Sequence, residues 1–400
     1  MELAQRIYNG EDITADDTLL RQTAKQLLNG VEKGFNGNIL SFNFSSPDFE
    51  ALAKLTENVY HFSAAKNYHE LKDLSLAIRD GNKIRSFEEF EAKAKEITNK
   101  YNVSWLRSEY NQALSSAQAS ARWNDFTKNK DTMPYLQYQA VMDSNTREEH
   151  AALHGVIRRV DDKFWDTYMP PNGWGCRCEA IQLPGSFYTE TPDKDIDFPT
   201  VPTMFRINFG KQSLAFPSTH PYFKRLPEDQ QHLLKEKSRQ EIRRILSNAE
   251  QYKKLKQDNN YTDVKFNWTT GGLKATHKER DLKIMKYSQE DKIIDILFNL
   301  GNKIILTSER NTEQGKKLFD GTLNGKTMEI TTRHNGDYKK VKDALNHCAK
   351  KKAQIAVINF PNGITDDELK KGLDEYYKHN QGVIAFEKIY LITKGKVRKI

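Results

Sequence analysis

The stretch PPNGWGCRC, residues 170–178, holds two of the three cysteines of a 400-residue chain, one residue apart. Its paired prolines fix φ and withhold two backbone donors, and Gly173 and Gly175 permit turns closed to other residues. No regular helix can run through it, so the chain must turn here and the flanks decide what the turn holds. Upstream, DSNTREEHAALHG (143–155) has capping-box spacing at Thr146 and Glu149, with Gly155 where a left-handed helix stop belongs. That predicts one short helix with His150 and His154, at i and i+4, on the same face. Downstream, CRCEAIQL reads as a strand that places Cys176 and Cys178 on one face and Arg177 and Glu179 on the other.

Two imidazoles and two thiols on rigid elements are the ligand inventory of a tetrahedral zinc site. Geometry constrains it. Positions i and i+2 of a straight strand lie about 6.6 Å apart, whereas two sulfurs on one zinc must come within about 4.6 Å. The thiols must lean together, or the strand must bulge beside Gly173 and Gly175. A Cys176–Cys178 disulfide fits less well, because bridged Cα atoms usually lie closer. Two readings therefore stand side by side. Either zinc is held by His150, His154, Cys176 and Cys178, or the thiols are small buried groups and the histidines bond loop carbonyls.

The length suggests two or three domains at about 150 residues each. With 37% hydrophobic residues there is material for real cores, while 29% charged residues point to long solvated helices or thin domains. No run approaches the roughly 18 apolar residues of a membrane span. The opening MELAQRIYNGEDITADD lacks the basic and apolar regions of a signal peptide. A reducing cytoplasm is the expected site of synthesis, and three cysteines are no disulfide framework.

The expected fold class is α+β: a mainly helical N-terminal region, a small β-containing His/Cys motif domain, and a separate α/β C-terminal domain. Residues 1–85 read as short helices and loops. In the core at 86–225, Ser86 and Glu89 form a capping box for a first helix, and Ala113, Ala117 and Ala121 give a second helix a close-packing seam. A proline-rich run closes that core. A charged helix and the linker QDNNYTD fill 226–263, and residues 264–400 form the last domain.

Charge divides the chain as well. Residues 231–400 hold 35 Lys and Arg against 22 Asp and Glu, a net of +13, and the rest is net −5. A basic half suggests a polyanionic partner, although a solvated lysine-rich face has the same composition. In the last domain, helices are expected at about 281–300, 337–352 and 365–379, strands at 303–308 and 354–360, and a final strand or hairpin at 386–399. A two-residue hairpin turns at Asn324-Gly325. Its register sets Leu323 against Lys326, Thr322 against Thr327, and Asp320 against Glu329. Facing carboxylates repel unless compensated, and a divalent cation, Mg2+ or Mn2+, would compensate. His277, in GGLKATHKER, is a further candidate for this site, though a flexible Gly-Gly entry with a solvated histidine reads equally well. Asp320 also has a turn role open to it, and Glu329 has a lysine partner within reach in Lys326 or Lys317.

The run MDSNTREEHAALHG, followed by DDKFWDTYMPPNGWGCRCEAIQL, resembles the phage head-morphogenesis family, the phage Mu protein F-like minor head proteins. Asp143, a Thr-Arg pair ending at Arg147, His150, a glycine after His154, Pro-Pro and Cys-Arg-Cys occur in the family's order. FRINFGKQSLAFPSTHPYF (205–223) looks like the segment that trails this motif. The resemblance covers about 85–225. It implies a minor structural protein of a tailed phage or prophage, associated with portal and procapsid proteins and present in the virion head. It carries over no catalytic residue; the motif residues are implied to hold the small domain together.

Residues 270–400 resemble restriction-endonuclease-like and toxin-type nucleases through FDG and MEIT, with catalysis implied at Asp320 and Glu329 and nucleic acid, DNA or tRNA, as the partner. Thr331 stands where that pattern has lysine, which leaves Lys326, Arg333 or Lys339 to supply the cation. The alternative function is a nuclease effector delivered by the head-like region. A third class, chemistry at the His/Cys cluster itself, lacks a visible nucleophile–base–orienter set.

Overall fold

Helix, not loop, dominates the beginning of the chain. The computed structural model describes residues 2–11, 13, 15–36, 46–280, 289–308, 319–380 and 386–400. It divides into two compact units, Met1–Ile242 and Arg243–Ile400. The fold is α+β.

In the first unit, Asp16 caps the helix Asp17–Gly34 by accepting from the Leu19 N–H at 2.8 Å, and Ser46 caps the 30-residue helix Pro47–Leu76. The short helices expected over 1–85 are corrected by these two long ones. The periodicity of the longer one is blurred because its Thr56, Ser63, Lys66, Asn67 and Glu70 are buried along with its apolar residues. The Ser86–Glu89 capping box starts Phe87–Asn99 as expected. That helix runs on through a π-helical segment, Lys100–Trp105, into Leu106–Asn129 without a break. The alanine stripe is the seam. Ala113 and Ala117 are fully buried, and a Cβ on Gly34 of the facing helix would lie 2.5 Å from the Ala117 Cβ.

The polar residues inside this bundle find each other across helices. Lys66 is paired with Glu109, Asn102 donates to Glu70 at 2.7 Å, and the Tyr101 hydroxyl donates to Asp73 at 2.8 Å. The proline-rich run folds back on the same helices, stacking Phe216 on Phe62 at 3.5 Å between ring centroids. Between them in sequence lies an antiparallel three-stranded sheet, with Tyr135–Gln139 flanked by Ile157–Arg159 and Glu179–Leu183. It packs on Leu153, Val156, Phe164, Trp165 and Met169.

The second unit is an eight-stranded mixed sheet. From one edge its strands are Lys396–Lys399, Lys388–Thr393, Ile355–Phe360, Lys326–Thr332, Gly321–Leu323, Lys303–Leu306, Gly272–His277 and Tyr261–Asn267. Helix Gln289–Asn299 covers one face, where Ile355 and Val357 point. Helices Tyr338–Lys350 and Asp366–His379 share the other face with Ala356 and Ile358. Covered on both faces, Ile355–Phe360 is buried throughout, which explains its unbroken apolar run.

The expected helix start at 281 lies outside the described residues. The two strands between 261 and 277 replace a linker end and a Gly-Gly entry. Gly271 turns between them at φ +70°, and Gly272 comes so close to the Phe298 carbonyl that a Cβ would sit 2.2 Å from its oxygen. These glycines are therefore fixed in place. The Asn324-Gly325 hairpin has positive φ at both turn residues and the expected pairs Leu323–Lys326 and Thr322–Thr327.

Candidate functional site

The helix that carries His150 is a single turn, Glu148–Ala151. Turn residues follow it, and the chain then meets the sheet at Gly155 and Val156. The Gly155 N–H donates to the Tyr138 carbonyl at 2.8 Å, and the Tyr138 N–H donates to that of Val156 at 2.9 Å. Gly155 takes φ +83° to allow this. Thr146, expected to cap, instead bonds Asp143 and the Val141 carbonyl. His150 remains 5% exposed, while His154 turns outward and its Nδ1 accepts from the Ala140 N–H at 3.2 Å. His154 thus leaves the ligand set, which corrects the shared helix face expected for the two histidines.

Cys176 and Cys178 precede the strand Glu179–Leu183 rather than lying in it, so strand pleating does not set their spacing. Both sulfurs approach the same atom: Cys176 Sγ lies 3.8 Å and Cys178 Sγ 3.4 Å from His150 Nδ1. The ligand atoms of the three residues all lie within 4.8 Å of one another, and the cysteines are free. The thiols shift in opposite directions. A hydrogen bond from Cys178 draws Cys176 below the ordinary thiol range, while the same bond, with burial, raises Cys178.

The surrounding motif fastens this turn. Arg177 donates to both Asp143 oxygens at 2.6 Å, and that guanidinium holds the carboxyl far below its usual range. Arg147 donates to the Trp174 carbonyl at 2.6 Å. The Tyr138 hydroxyl donates to Asn172 at 3.1 Å, and Asn172 in turn donates to Thr167 and Met169 carbonyls. Tyr138 and Asn172 carry no motif pattern in the sequence. Only the pairing of strand 135–139 with the loop brings them in.

In the C-terminal unit the hairpin ladder ends at Gly321–Met328, one step short of Asp320 and Glu329. Asp320 Oδ2 accepts from the Ile330 N–H at 2.7 Å, and Oδ1 accepts from Arg280 at 3.3 Å. Glu329 is 4% exposed; its Oε1 lies 3.1 Å from His347 Nε2 and 3.8 Å from Lys351 Nζ. Its Oε2 is buried without a hydrogen-bond partner among the described residues. Burial, then the Asp320 charge, pushes the Glu329 carboxyl up.

Arg280, Lys351 and the His347 imidazole are therefore the groups that meet this pair, and the sequence singled out none of them. The expected ones are engaged elsewhere. Lys326 pairs with Glu387 at 3.1 Å, Arg333 donates to Thr331 Oγ1 at 2.7 Å, and Lys339 lies 5.9 Å from the Tyr338 ring centroid. His277 ends its strand with Nδ1 accepting from the Glu279 N–H at 3.3 Å and its ring against Tyr261. Among the described residues it makes no hydrogen bond or ion pair to Asp320 or Glu329. Lys317 lies outside the described residues.

Residues 71–181, which contain the whole His/Cys turn, match the family model described as Phage Mu protein F like protein. The chain carries a Mu F-like segment. It is 46% identical over 74 residues to the putative capsid assembly protein F of Escherichia phage Mu, covering 18% of this chain and 17% of that protein. It is 52% identical over 68 residues to the Mu-like prophage FluMu F protein of Haemophilus influenzae, covering 17% and 16%. The chain thus matches about a sixth of the length of each relative. No solved structure matches. Among the described residues no helix is long and apolar enough to cross a membrane.

Proposed function

We propose that the chain is a minor head protein of a tailed phage or prophage, acting with portal and procapsid proteins in head assembly or DNA packaging and carried in the virion head. The match of residues 71–181 to the Mu F-like family carries this reading. The Mu relative's name, a putative capsid assembly protein, supports it. So does the use made of the motif residues: Asp143, Arg147 and Arg177 are spent on holding their own loop. Placing a nonsense codon in the gene of an intact phage should abolish DNA-filled heads and cut the infectious titre by orders of magnitude. Normal titre with normal heads would overturn the reading.

For the C-terminal unit we infer nucleic-acid binding without cleavage. The net +13 of residues 231–400 supports binding. Arg280 on Asp320, and Thr331 in the position a nuclease of this pattern gives to lysine, weigh against cutting. The full chain, mixed with tRNA, single-stranded DNA and duplex DNA in Mg2+ or Mn2+, should shift their mobility in a salt-sensitive way and leave them intact. Cleavage that needs the metal and disappears in Glu329→Gln would favour the toxin-type nuclease instead. Neither binding nor cleavage would reduce the basic half to a solvated face.

A further inference from the structure

The His150 imidazole nitrogen Nδ1 has one lone pair and serves one thiol donor well. Two sulfurs nevertheless converge on it, at 3.4 and 3.8 Å. In a tetrahedral site with Zn–S of about 2.3 Å and Zn–N of about 2.0 Å, sulfur and nitrogen lie about 3.5 Å apart. The two observed distances bracket that value, and all three ligand atoms fall within 4.8 Å. A hydrogen-bonded thiol pair would need only one sulfur at the ring.

We propose that His150, Cys176 and Cys178 bind one zinc ion that locks the Cys-Arg-Cys turn to the His150 helix, with the fourth position open. Two thiolates and an imidazole select zinc over magnesium or calcium, which prefer oxygen. The ligands are held before any metal arrives. Arg147 pins the loop at Trp174, Arg177 pins it at Asp143, and the Cys176 N–H donates to the Gly173 carbonyl at 3.1 Å. Cys176 and Cys178 also line a cleft of ≈ 150 Å³ with Ser115, Gln118, Arg122 and Pro171. His154, bonded to the Ala140 N–H, takes no part.

The test uses the full chain purified without chelator from zinc-supplemented cells. Elemental analysis should give about one zinc per chain, and replacement by Co2+ should give the visible bands of a tetrahedral thiolate site. His150→Ala and Cys178→Ser should lose the metal, while His154→Ala keeps it. Because a ligand variant can fail to fold, the wild-type chain is also stripped and reloaded. Zinc should then slow alkylation of Cys176 and Cys178 by about tenfold or more, since a metal-bound thiolate is shielded. His150→Cys, which preserves a ligand, should retain zinc. Folded wild-type chain whose thiol reactivity ignores zinc and which shows no Co2+ bands would overturn the site. Loss of metal in His154→Ala would overturn the three-ligand assignment.

Discussion

Replacing Lys66 by methionine should destabilise the first unit by about 3–5 kcal/mol, the usual cost of removing one partner from a buried ion pair. Lys66 is fully buried and Glu109 is 3% exposed, so the remaining carboxylate would have neither water nor a cation. Burial already pushes Glu109 up and Lys66 down, each partly offset by the other. The double variant Lys66→Met/Glu109→Leu should recover most of the loss, because apolar groups of similar volume need no compensation. Urea unfolding of the single and double variants gives the comparison. A single variant within about 1 kcal/mol of wild type would mean that water reaches the pair.

Glu70→Gln should stabilise the protein at pH 8 by about 2–3 kcal/mol and have little effect near pH 4. Burial pushes the Glu70 carboxyl up to about 7, against the lowering pull of the Asn102 hydrogen bond and the Lys66 charge; Asp73 and Glu109 add to the rise. An acid whose folded pKa exceeds its unfolded value contributes stability below the unfolded pKa, near 4.5 here, and that contribution is lost as pH rises toward 7. One pKa unit corresponds to about 1.4 kcal/mol, which sets the upper limit of the effect. Glutamine keeps an acceptor for Asn102 and carries no charge at any pH. Melting curves of both proteins from pH 4 to 8 provide the measurement. A difference that does not change with pH would show that Glu70 titrates normally.

These two residues also show where sequence reading loses its hold. The capping box at Ser86 and the Asn324-Gly325 hairpin were legible because each is decided by neighbours within a few positions. Helix Pro47–Leu76 was not, since Lys66 pairs with Glu109 and Glu70 accepts from Asn102, which lie 43 and 32 positions away. Polar residues on a buried face erase the apolar period. His154 was misplaced for a related reason. The i, i+4 rule assumes a helix that continues, and this one ends at Ala151, before the chain pairs with Tyr138 at Gly155. In the C-terminal unit the pairs Leu323–Lys326 and Thr322–Thr327 could be read from register, although the ladder ends before Asp320 and Glu329. The arrival of Arg280 and His347 could not, because each comes from an element well removed in sequence.

Quantitative mass spectrometry of density-purified phage heads tests the proposed role most directly. The chain should be found in assembled heads, in far fewer copies than the major capsid protein, and should remain through a second purification. Its confinement to the unassembled fraction of the lysate, with none in heads, would contradict its assignment as a head protein.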